Sequence, residues 1–498
     1  PLLLSPQPTL LREALARDVA GGEGNISLHP PPAGRVFDLL RLPSPLLQVG
    51  GRLSEFGPEC EELTEDKLVL SIVREGYRLE LISKPPLSRY PIPFQLPASP
   101  EKASTLLGEI NSLLEKQAVE ELDPSSLSQG FYSPIFLVPK SEGRFRPVFN
   151  LKPLNLHIQK QKFKMKTQRD ISSALHMGDW AVSIDLKDAY FHVPIHKDCR
   201  HLLRFAVWNK GLLRVFQFKA LPFGLSSAPR VFTRMILPIG HHVHMLAMIL
   251  LQYLDDWLLK DQDRESLKLQ RDTLLEITQR VGWVPNLEKS VLEPTQRLVH
   301  VGTEYHLDTG MMYPPMTRIE KMERKISVLF QTRVTTAKYW LSLLGLLNSA
   351  TDAIPLGRLY LRPLHFYLFA HWDMRKRDLR ALIPIKPEQI HHHLQWWMNQ
   401  ENTRVGKVLD LPPPEVQLFT DASNAGWGAH TGSCQVSGLW SGEEATLHIN
   451  HLELLAILYA LRGLREPLRG KSVLLRADNA TAISYLRKEG GDQVDPSI

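Results

Sequence analysis

Two adjacent aspartates, Asp255 and Asp256, stand between two short apolar runs and have the type and spacing best suited to chemistry. The runs on either side are rich in Leu and Ile and long enough for two strands, so the pattern predicts a β-hairpin with the acids at its tip. Two carboxylates at one turn repel each other, and a divalent cation between them relieves that repulsion. The alternative is an ordinary surface turn, because aspartate is common in turns.

A third carboxylate, Asp185, ends a second predicted strand upstream of the hairpin. Mg²⁺ prefers oxygen ligands, and acids from two strands can hold two such ions for the in-line displacement of a phosphoryl group. The sequence therefore predicts a site in which Asp185, Asp255 and Asp256 bind two Mg²⁺ ions, with Mn²⁺ as an alternative metal.

Three segments together resemble the palm motifs of a retroelement reverse transcriptase: the Tyr-Leu-Asp-Asp hairpin, the Asp-Leu-Lys-Asp-Ala-Tyr-Phe strand and the Leu-Pro-Phe-Gly turn at 221–224. The resemblance implies an α+β multidomain fold, a right-hand polymerase with fingers, palm and thumb. It also implies an RNA-directed DNA polymerase that uses an RNA template, a DNA primer and deoxynucleoside triphosphates. Among retroelements, the lead-in at 50–53 and the helical run at 344–361 look most like those of DIRS-type retrotransposons.

The same resemblance assigns residues to the incoming nucleotide. Lys140 and Arg146 match the fingers residues that hold the triphosphate through charge-assisted contacts. Asp188, Ala189 and Tyr190 match residues that border the sugar. A ring at Tyr190 would collide with a ribose 2′-hydroxyl and select deoxynucleotides, whereas the alternative for Tyr190 is an ordinary strand aromatic.

Further assignments surround the primer and the leaving group. Phe223 stands where retroviral enzymes usually have glutamine; it can pack on a sugar or base but offers no hydrogen bond. Lys289 matches a lysine that could donate a proton to pyrophosphate, and its alternative is a solvated loop lysine. The residues assigned to primer–template contact are Gly224, His300, Val301 and Gly302, the last three in a hairpin that resembles the primer grip.

A second set of acids follows a proline-rich linker at 411–414. Asp421 ends a strand, Glu453 lies on an amphipathic helix and Asp478 ends another strand. This order resembles a ribonuclease H domain, which implies that the three acids bind Mg²⁺ and that the substrate is an RNA–DNA hybrid. The family usually has a fourth carboxylate on a late helix, and Asp492 and Asp495 lie too early to supply it. The expectation is a C-terminally incomplete domain that cleaves hybrids weakly or not at all.

The length of 498 residues suits three or four domains. We expect an irregular N-terminal lead-in over 1–98, fingers and palm over 99–310, a helical thumb or connection over 311–410 and a ribonuclease H-like domain over 415–498. The net charge of +6 is a mild excess, so its placement matters more than its size. Basic residues concentrate at 140–169, where a solvated edge strand is the alternative to a nucleic-acid surface.

Local patterns predict the elements that position these residues. Ser99 and Pro100 predict a helix start, and 264–281 reads as an amphipathic helix that ends before Gly282. The apolar piece at 68–73 looks like a strand. The three histidines at 391–393 point in different directions around a helix, so we expect a solvated or nucleic-acid-facing stretch rather than a metal site.

Three cysteines, Cys60, Cys199 and Cys434, lie far apart without metal-ligand spacing. A reducing compartment, the cytoplasm or the nucleus, fits them best. The longest apolar run is about half the length that spans a bilayer, so no membrane segment is expected.

The sequence looks like a piece of a larger polyprotein. The rival hypothesis is a domesticated or inactive nucleic-acid-binding protein that has kept the fold, and the six acids argue against it.

Overall fold

The structure is a computed structural model that describes residues 48–139, 145–432 and 434–489. Lys140, Asp492 and Asp495 lie outside the described residues, and the side chain of Arg146 is likewise not described. The chain divides into two compact units, and the boundary between them falls between Gly310 and Met311.

The first unit combines largely antiparallel sheets with helices. Its helices are Gly57–Leu63, Lys67–Glu75, Pro100–Glu115, Lys152–Asn155, Gln168–Ala174, Ala228–Met245 and Arg264–Arg280. Its strands are Pro93–Phe94, Val119–Leu122, Ile135–Pro139, Phe145–Phe149, Trp180–Asp185, Arg204–Asn209, Leu212–Phe218, Ile249–Tyr253, Asp256–Asp261, Val291–Thr295, Arg297–His300 and Thr303–His306. Short 3₁₀ helices complete it at Arg52–Glu55, Pro124–Ser126, Ala189–His192 and Lys197–Leu202.

One four-stranded sheet, which we call the central sheet, carries the first set of acids. Its strand order is 291–295, 180–185, 256–261, 249–253. Helices 228–245 and 264–280 pack against it, which explains why Val182, Leu258 and Leu259 are fully buried. At the end far from the acids, the buried Lys260 ammonium lies 2.7 Å from the buried Asp179 carboxylate.

The second unit begins with a group of helices and ends with a sheet. Its helices are Met316–Gln331, Ala337–Asn348, Gly357–His371, Pro387–Met398, Gln400–Thr403, Ile449–Gly463, Arg465–Leu468 and Ala480–Arg487, with a 3₁₀ helix at Glu444–Thr446. Its strands are Met311–Tyr313, Val334–Thr336, Leu382–Pro384, Lys407–Val408, Val416–Ala422, Gly426–Thr431, Cys434–Leu439 and Val473–Arg476. The last sheet has the order 434–439, 426–431, 416–422, 473–476, and only its final pairing is parallel.

Several predicted elements are confirmed. A helix spans Pro100–Glu115 with Ser99 at its N-cap position and proline in its first turn. Another spans Arg264–Arg280, and Gly282 follows it in the left-handed conformation that terminates helices. No helix within the described ranges is long and apolar enough to cross a bilayer.

The strand prediction at 68–73 is wrong, because these residues lie in helix Lys67–Glu75. The Asp66 carboxylate accepts hydrogen bonds from the Leu68 and Val69 amides, a typical N-cap. The buried positions Val69, Ile72 and Val73 follow helical spacing rather than alternation. Within the lead-in, residues 52–75 are therefore largely helical and belong to the main core, whereas 76–98 contain only the two-residue strand Pro93–Phe94 and are irregular, as predicted.

The expectation for the three histidines is only partly correct. His392 is exposed, but the His391 ring packs edge-on against Phe330 at 4.8 Å. The His391 Nε2 and His393 Nδ1 atoms are buried without a hydrogen-bond partner. The His391 side chain therefore contributes to packing between helices, and one ring nitrogen of His393 is buried rather than solvated.

Candidate functional site

The hairpin of the central sheet places Asp255 and Asp256 at its tip, as predicted. Strands Ile249–Tyr253 and Asp256–Asp261 pair antiparallel, with Tyr253 opposite Asp256. Leu254 has a φ of 52°, a left-handed conformation that closes the tight turn. The Trp257 indole N–H donates to the Leu254 carbonyl at 2.8 Å, and this hydrogen bond stabilises the turn.

The third acid joins them through strand pairing. Asp185 is the last residue of its strand and lies directly opposite Asp256. The Leu186 amide donates to the Asp255 carbonyl at 3.0 Å, so the backbone joins the strand end to the hairpin tip. The three acids lie together at one end of the central sheet, where these strands begin or end, as predicted from the sequence.

The electrostatics of this end of the sheet favour a cation. Removal from water raises the pKa of Asp255, and repulsion from the like charge of Asp185 raises it further. For Asp256, removal from water together with Asp255 and Asp185 raises the pKa to about 6. The Lys289 ammonium lowers both pKa values, which places this lysine within electrostatic reach of the acids. Such mutual repulsion is what a bound divalent ion relieves.

The backbone of Asp185 is held by a loop that the sequence analysis did not use. Its amide donates to the Ser290 hydroxyl at 3.0 Å, and its carbonyl accepts from the Asn286 amide at 2.7 Å. The Ser290 hydroxyl in turn donates to the Asn286 carbonyl at 2.7 Å. Ser290 directly follows Lys289, so its position beside a motif lysine was the available signal.

Tyr190 lies in a cluster of rings beside the acids. Its ring centroid is 4.7 Å from that of Phe223 and 5.1 Å from that of Phe232. Phe223 is 41% exposed and also meets Phe191 edge-on at 5.4 Å. Burial raises the pKa of Tyr190 to about 12, with a further contribution from Asp255. Tyr190 and Phe223, which the sequence analysis assigned separately to the nucleotide, are thus in contact.

Asp188 opens the 3₁₀ helix that contains Ala189 and Tyr190, with a φ of 49°. Its carboxylate accepts from the Lys116 ammonium at 2.9 Å.

Ala189 is buried, and its carbonyl accepts from the Nδ1 of the fully buried His192 at 3.2 Å. The His192 Nε2 accepts from the Val284 amide at 3.2 Å, and burial lowers the pKa of this imidazole to about 4. The sequence analysis used neither Lys116 nor His192.

The turn after Phe223 is held by Asn155, another residue that the motifs did not indicate. The Asn155 side-chain Nδ2 donates to the Gly224 carbonyl at 2.9 Å, and its Oδ1 accepts from the Ser226 backbone amide at 2.8 Å. Gly224 has a φ of 92°, which only glycine adopts readily.

The predicted primer-grip hairpin is present as a hairpin. Strands Arg297–His300 and Thr303–His306 pair around Val301 and Gly302, which have φ values of 45° and 72°. The His300 side chain points inward: it is 4% exposed, and burial lowers its pKa to about 4. Any contact of His300 with a primer would therefore use its backbone.

The second set of acids forms the tightest carboxylate cluster in the described part of the chain. One carboxylate oxygen from each of Asp421, Glu453 and Asp478 lies within 4.8 Å of the others. The parallel pairing of Phe419 with Arg476 explains the C-terminal cluster, because Asp421 and Asp478 each lie two residues further along.

Glu453 faces both aspartates from helix Ile449–Gly463 and is 3% exposed. Burial, together with the charges of Asp478 and Asp421, raises its pKa to about 7. Its Oε2 atom is buried without a hydrogen-bond partner. Buried polar atoms are almost always paired, so an orphaned carboxylate oxygen inside an acidic cluster fits a metal ligand.

Comparison with known proteins identifies the region that contains the first site. Residues 138–303 match the family described as reverse transcriptase (RNA-dependent DNA polymerase). The chain is 25% identical over 372 residues to the genome polyprotein of Petunia vein clearing virus (isolate Hohn), covering 72% of this chain and 16% of the polyprotein. It is also 25% identical over 365 residues to the Transposon Tf2-3 polyprotein of Schizosaccharomyces pombe, covering 72% of this chain and 24% of that protein. It therefore spans less than a quarter of the length of these relatives.

Solved structures agree with the fold. The foamy viral protease-reverse transcriptase in complex with dsDNA has a TM-score of 0.54 at 17% identity, covering 85% of this chain and 84% of that chain. The same protein in complex with an RNA/DNA hybrid gives 0.52 at 17% identity, covering 82% and 53%. The predicted α+β polymerase fold with fingers, palm and thumb is confirmed, and residues 138–303 resemble the reverse transcriptase domains of retroelement polyproteins.

Proposed function

We propose that this chain is an RNA-directed DNA polymerase of a retroelement, which extends a DNA primer on an RNA template. The observation that carries the proposal is the pairing of Asp185 with Asp256 beside Asp255, within a reverse transcriptase domain. The DIRS-type affiliation remains a proposal that rests on the lead-in at 50–53 and the helical run at 344–361.

In the proposed mechanism, Asp185, Asp255 and Asp256 hold two Mg²⁺ ions. When bound, these ions would lower the pKa of the primer 3′-hydroxyl and stabilise the leaving pyrophosphate. Lys289 lies within electrostatic reach of the acids. It donates a proton to that pyrophosphate or stabilises its negative charge. Lys140 and Arg146 hold the triphosphate by analogy with the family.

The ring cluster supplies the selection of the sugar in this proposal. Tyr190 forms the wall at the 2′ position, and Phe223 supports its ring from the exposed side. The backbone at Asp188 and Ala189 borders the sugar and phosphates. The turns at Gly224 and at 300–302 contact the primer–template through their backbone.

A second activity, ribonuclease H cleavage of the RNA in a hybrid, is supported by a separate observation. The orphaned Oε2 of Glu453 lies within a three-acid cluster. The residues Asp421, Glu453 and Asp478 would hold Mg²⁺ there. The proposed partners are thus template RNA, DNA primer, RNA–DNA hybrid and deoxynucleoside triphosphates, met in the cytoplasm or nucleus.

Primer extension on an RNA template, with and without Mg²⁺, tests the polymerase. Asp255→Asn removes one charged ligand, and the loss of several kcal/mol of stabilisation should lower the rate by roughly 10³-fold. Binding of primer–template should persist, because it depends mainly on phosphate contacts elsewhere. Asp272→Asn, the same charge change at an exposed position of helix 264–280, is the control and should extend primers normally.

Near wild-type extension by Asp255→Asn would refute the metal assignment. A wild-type chain that binds primer–template but never extends it would instead favour the inactive nucleic-acid-binding protein. Glu453→Gln separates the two activities, since it should remove any Mg²⁺-dependent hybrid cleavage and leave extension unchanged.

A further inference from the structure

Gly50 and Gly51 form backbone hydrogen bonds with two segments: the end of helix 100–115 and the 3₁₀ helix 189–192. The Gly50 amide donates to the Lys116 carbonyl at 2.8 Å, and the Gly51 amide donates to the Phe191 carbonyl at 2.7 Å. A Cβ at Gly50 would lie 2.2 Å from the backbone of Gln117, and Gly51 has a φ of 71°. These two peptide groups therefore connect the end of helix 100–115 to the 3₁₀ helix 189–192.

Lys116 makes a second connection between the same two segments. Its ammonium lies 2.9 Å from the Asp188 carboxylate, and the two side chains are 32% and 21% exposed. Partial burial strengthens such a pair relative to a fully solvated one. Because Lys116 follows the helix and its carbonyl is fixed by Gly50, its side chain extends from a rigid base.

Asp188 needs such a connection because its backbone is strained. Its φ of 49° is left-handed, a conformation that costs free energy for a residue with a side chain. Asp188 is followed by Ala189 and Tyr190, and the Tyr190 ring packs between Phe223 and Phe232. A shift at Asp188 would therefore move the ring that faces the sugar.

We propose that Lys116, together with the Gly50–Gly51 backbone, forms a brace that positions Tyr190 and thereby sets discrimination between deoxyribonucleotides and ribonucleotides. The inference rests on the proposed polymerase function. Lys116 is a positioning residue in it, because it acts through Asp188.

The test compares Lys116→Met and Lys116→Arg in single-nucleotide incorporation on an RNA template. Lys116→Met keeps length but removes the charge, so KM for the deoxynucleotide should rise by roughly 10-fold, as expected for a small misplacement, with a smaller change in kcat. The preference for deoxyribonucleotides should fall. Lys116→Arg can still pair with Asp188 and should restore both. Lys268→Met, which breaks an exposed pair with Glu265 of 2.8 Å, should match the wild type.

Hydrogen exchange at the amides of 189–193 gives a readout that does not depend on activity. Lys116→Met should speed exchange at these amides, whereas Lys116→Arg and Lys268→Met should not. Wild-type exchange together with wild-type KM and selectivity in Lys116→Met would overturn the brace. A wild-type chain that fails to extend primers would count against the proposed function, and exchange would still decide the brace.

Discussion

In the proposed polymerase, Tyr190 is the residue on which the choice of sugar depends. Removing its ring in Tyr190→Ala opens space at the 2′ position, so the ratio of ribonucleotide to deoxyribonucleotide incorporation should rise by roughly 10-fold or more, because one steric contact contributes about 1–3 kcal/mol. Competing single-nucleotide incorporation measures the ratio. Tyr90→Ala, at a 79% exposed tyrosine, should leave it unchanged. Unchanged discrimination in Tyr190→Ala would place the selecting residue elsewhere.

His192 should make stability depend on pH. Its folded pKa of about 4 lies below the ordinary 6.5, so the unfolded chain binds the proton first as pH falls. The stability that the neutral ring contributes is complete above about pH 6.5 and is lost progressively toward pH 4, up to about 3 kcal/mol. His300 shifts in the same direction and adds to the effect.

Urea unfolding between pH 7 and pH 4.5 checks this expectation. His192→Gln should be less stable at neutral pH but should lose less stability on acidification than the wild type. His244→Gln, at an exposed position, should follow the wild-type curve. Equal pH dependence in all three proteins would show that His192 is protonated without cost.

At the level of elements, the described part of the N-terminal lead-in is a structural part of the first unit. Gly50→Ala places a methyl group 2.2 Å from the Gln117 backbone, and this overpacking should destabilise the protein by about 1–3 kcal/mol. Gly57→Ala, in open space at the start of helix 57–63, should be neutral or slightly stabilising. Chemical unfolding compares the two variants, and equal stability would mean that the lead-in can shift without cost.

Elements with local signals could be predicted from the sequence. Caps, periodicity and terminating glycine located helices 100–115 and 264–280, and apolar runs around Asp255 located the hairpin. The apolar piece at 68–73 was misassigned because a short apolar run fits a strand or a helix, and the Asp66 cap was the deciding signal.

The site divides in the same way. The motif acids stand at strand ends and could be read from the order of residues. Lys116 and Asp188 are 72 residues apart, and nothing in the sequence distinguishes a lysine at a helix end from a solvated one. Asn155 and Ser290 likewise act through backbone groups that only the folded chain brings near them.

For the whole molecule, the net charge of +6 and sequence-independent backbone contacts predict salt-sensitive binding of primer–template. With about six phosphate contacts, affinity should fall by roughly 10³-fold between about 50 and 200 mM salt. Fluorescence anisotropy with a labelled RNA–DNA hybrid measures this slope, and a hybrid of unrelated sequence is the control and should give the same slope. A flat salt dependence would indicate that recognition does not rest on phosphates.

The pairing of strands 180–185 and 256–261 also has a genetic consequence. The Asp185–Asp256 pair closes one end of these strands, and the buried Lys260–Asp179 ion pair closes the other. Since neighbouring side chains point to opposite faces, the loss of one codon from either strand would turn every residue beyond it to the wrong face. A base substitution changes one side chain and keeps the register, whereas in the proposed polymerase a one-codon deletion should abolish DNA synthesis, so that an element carrying it could no longer copy itself.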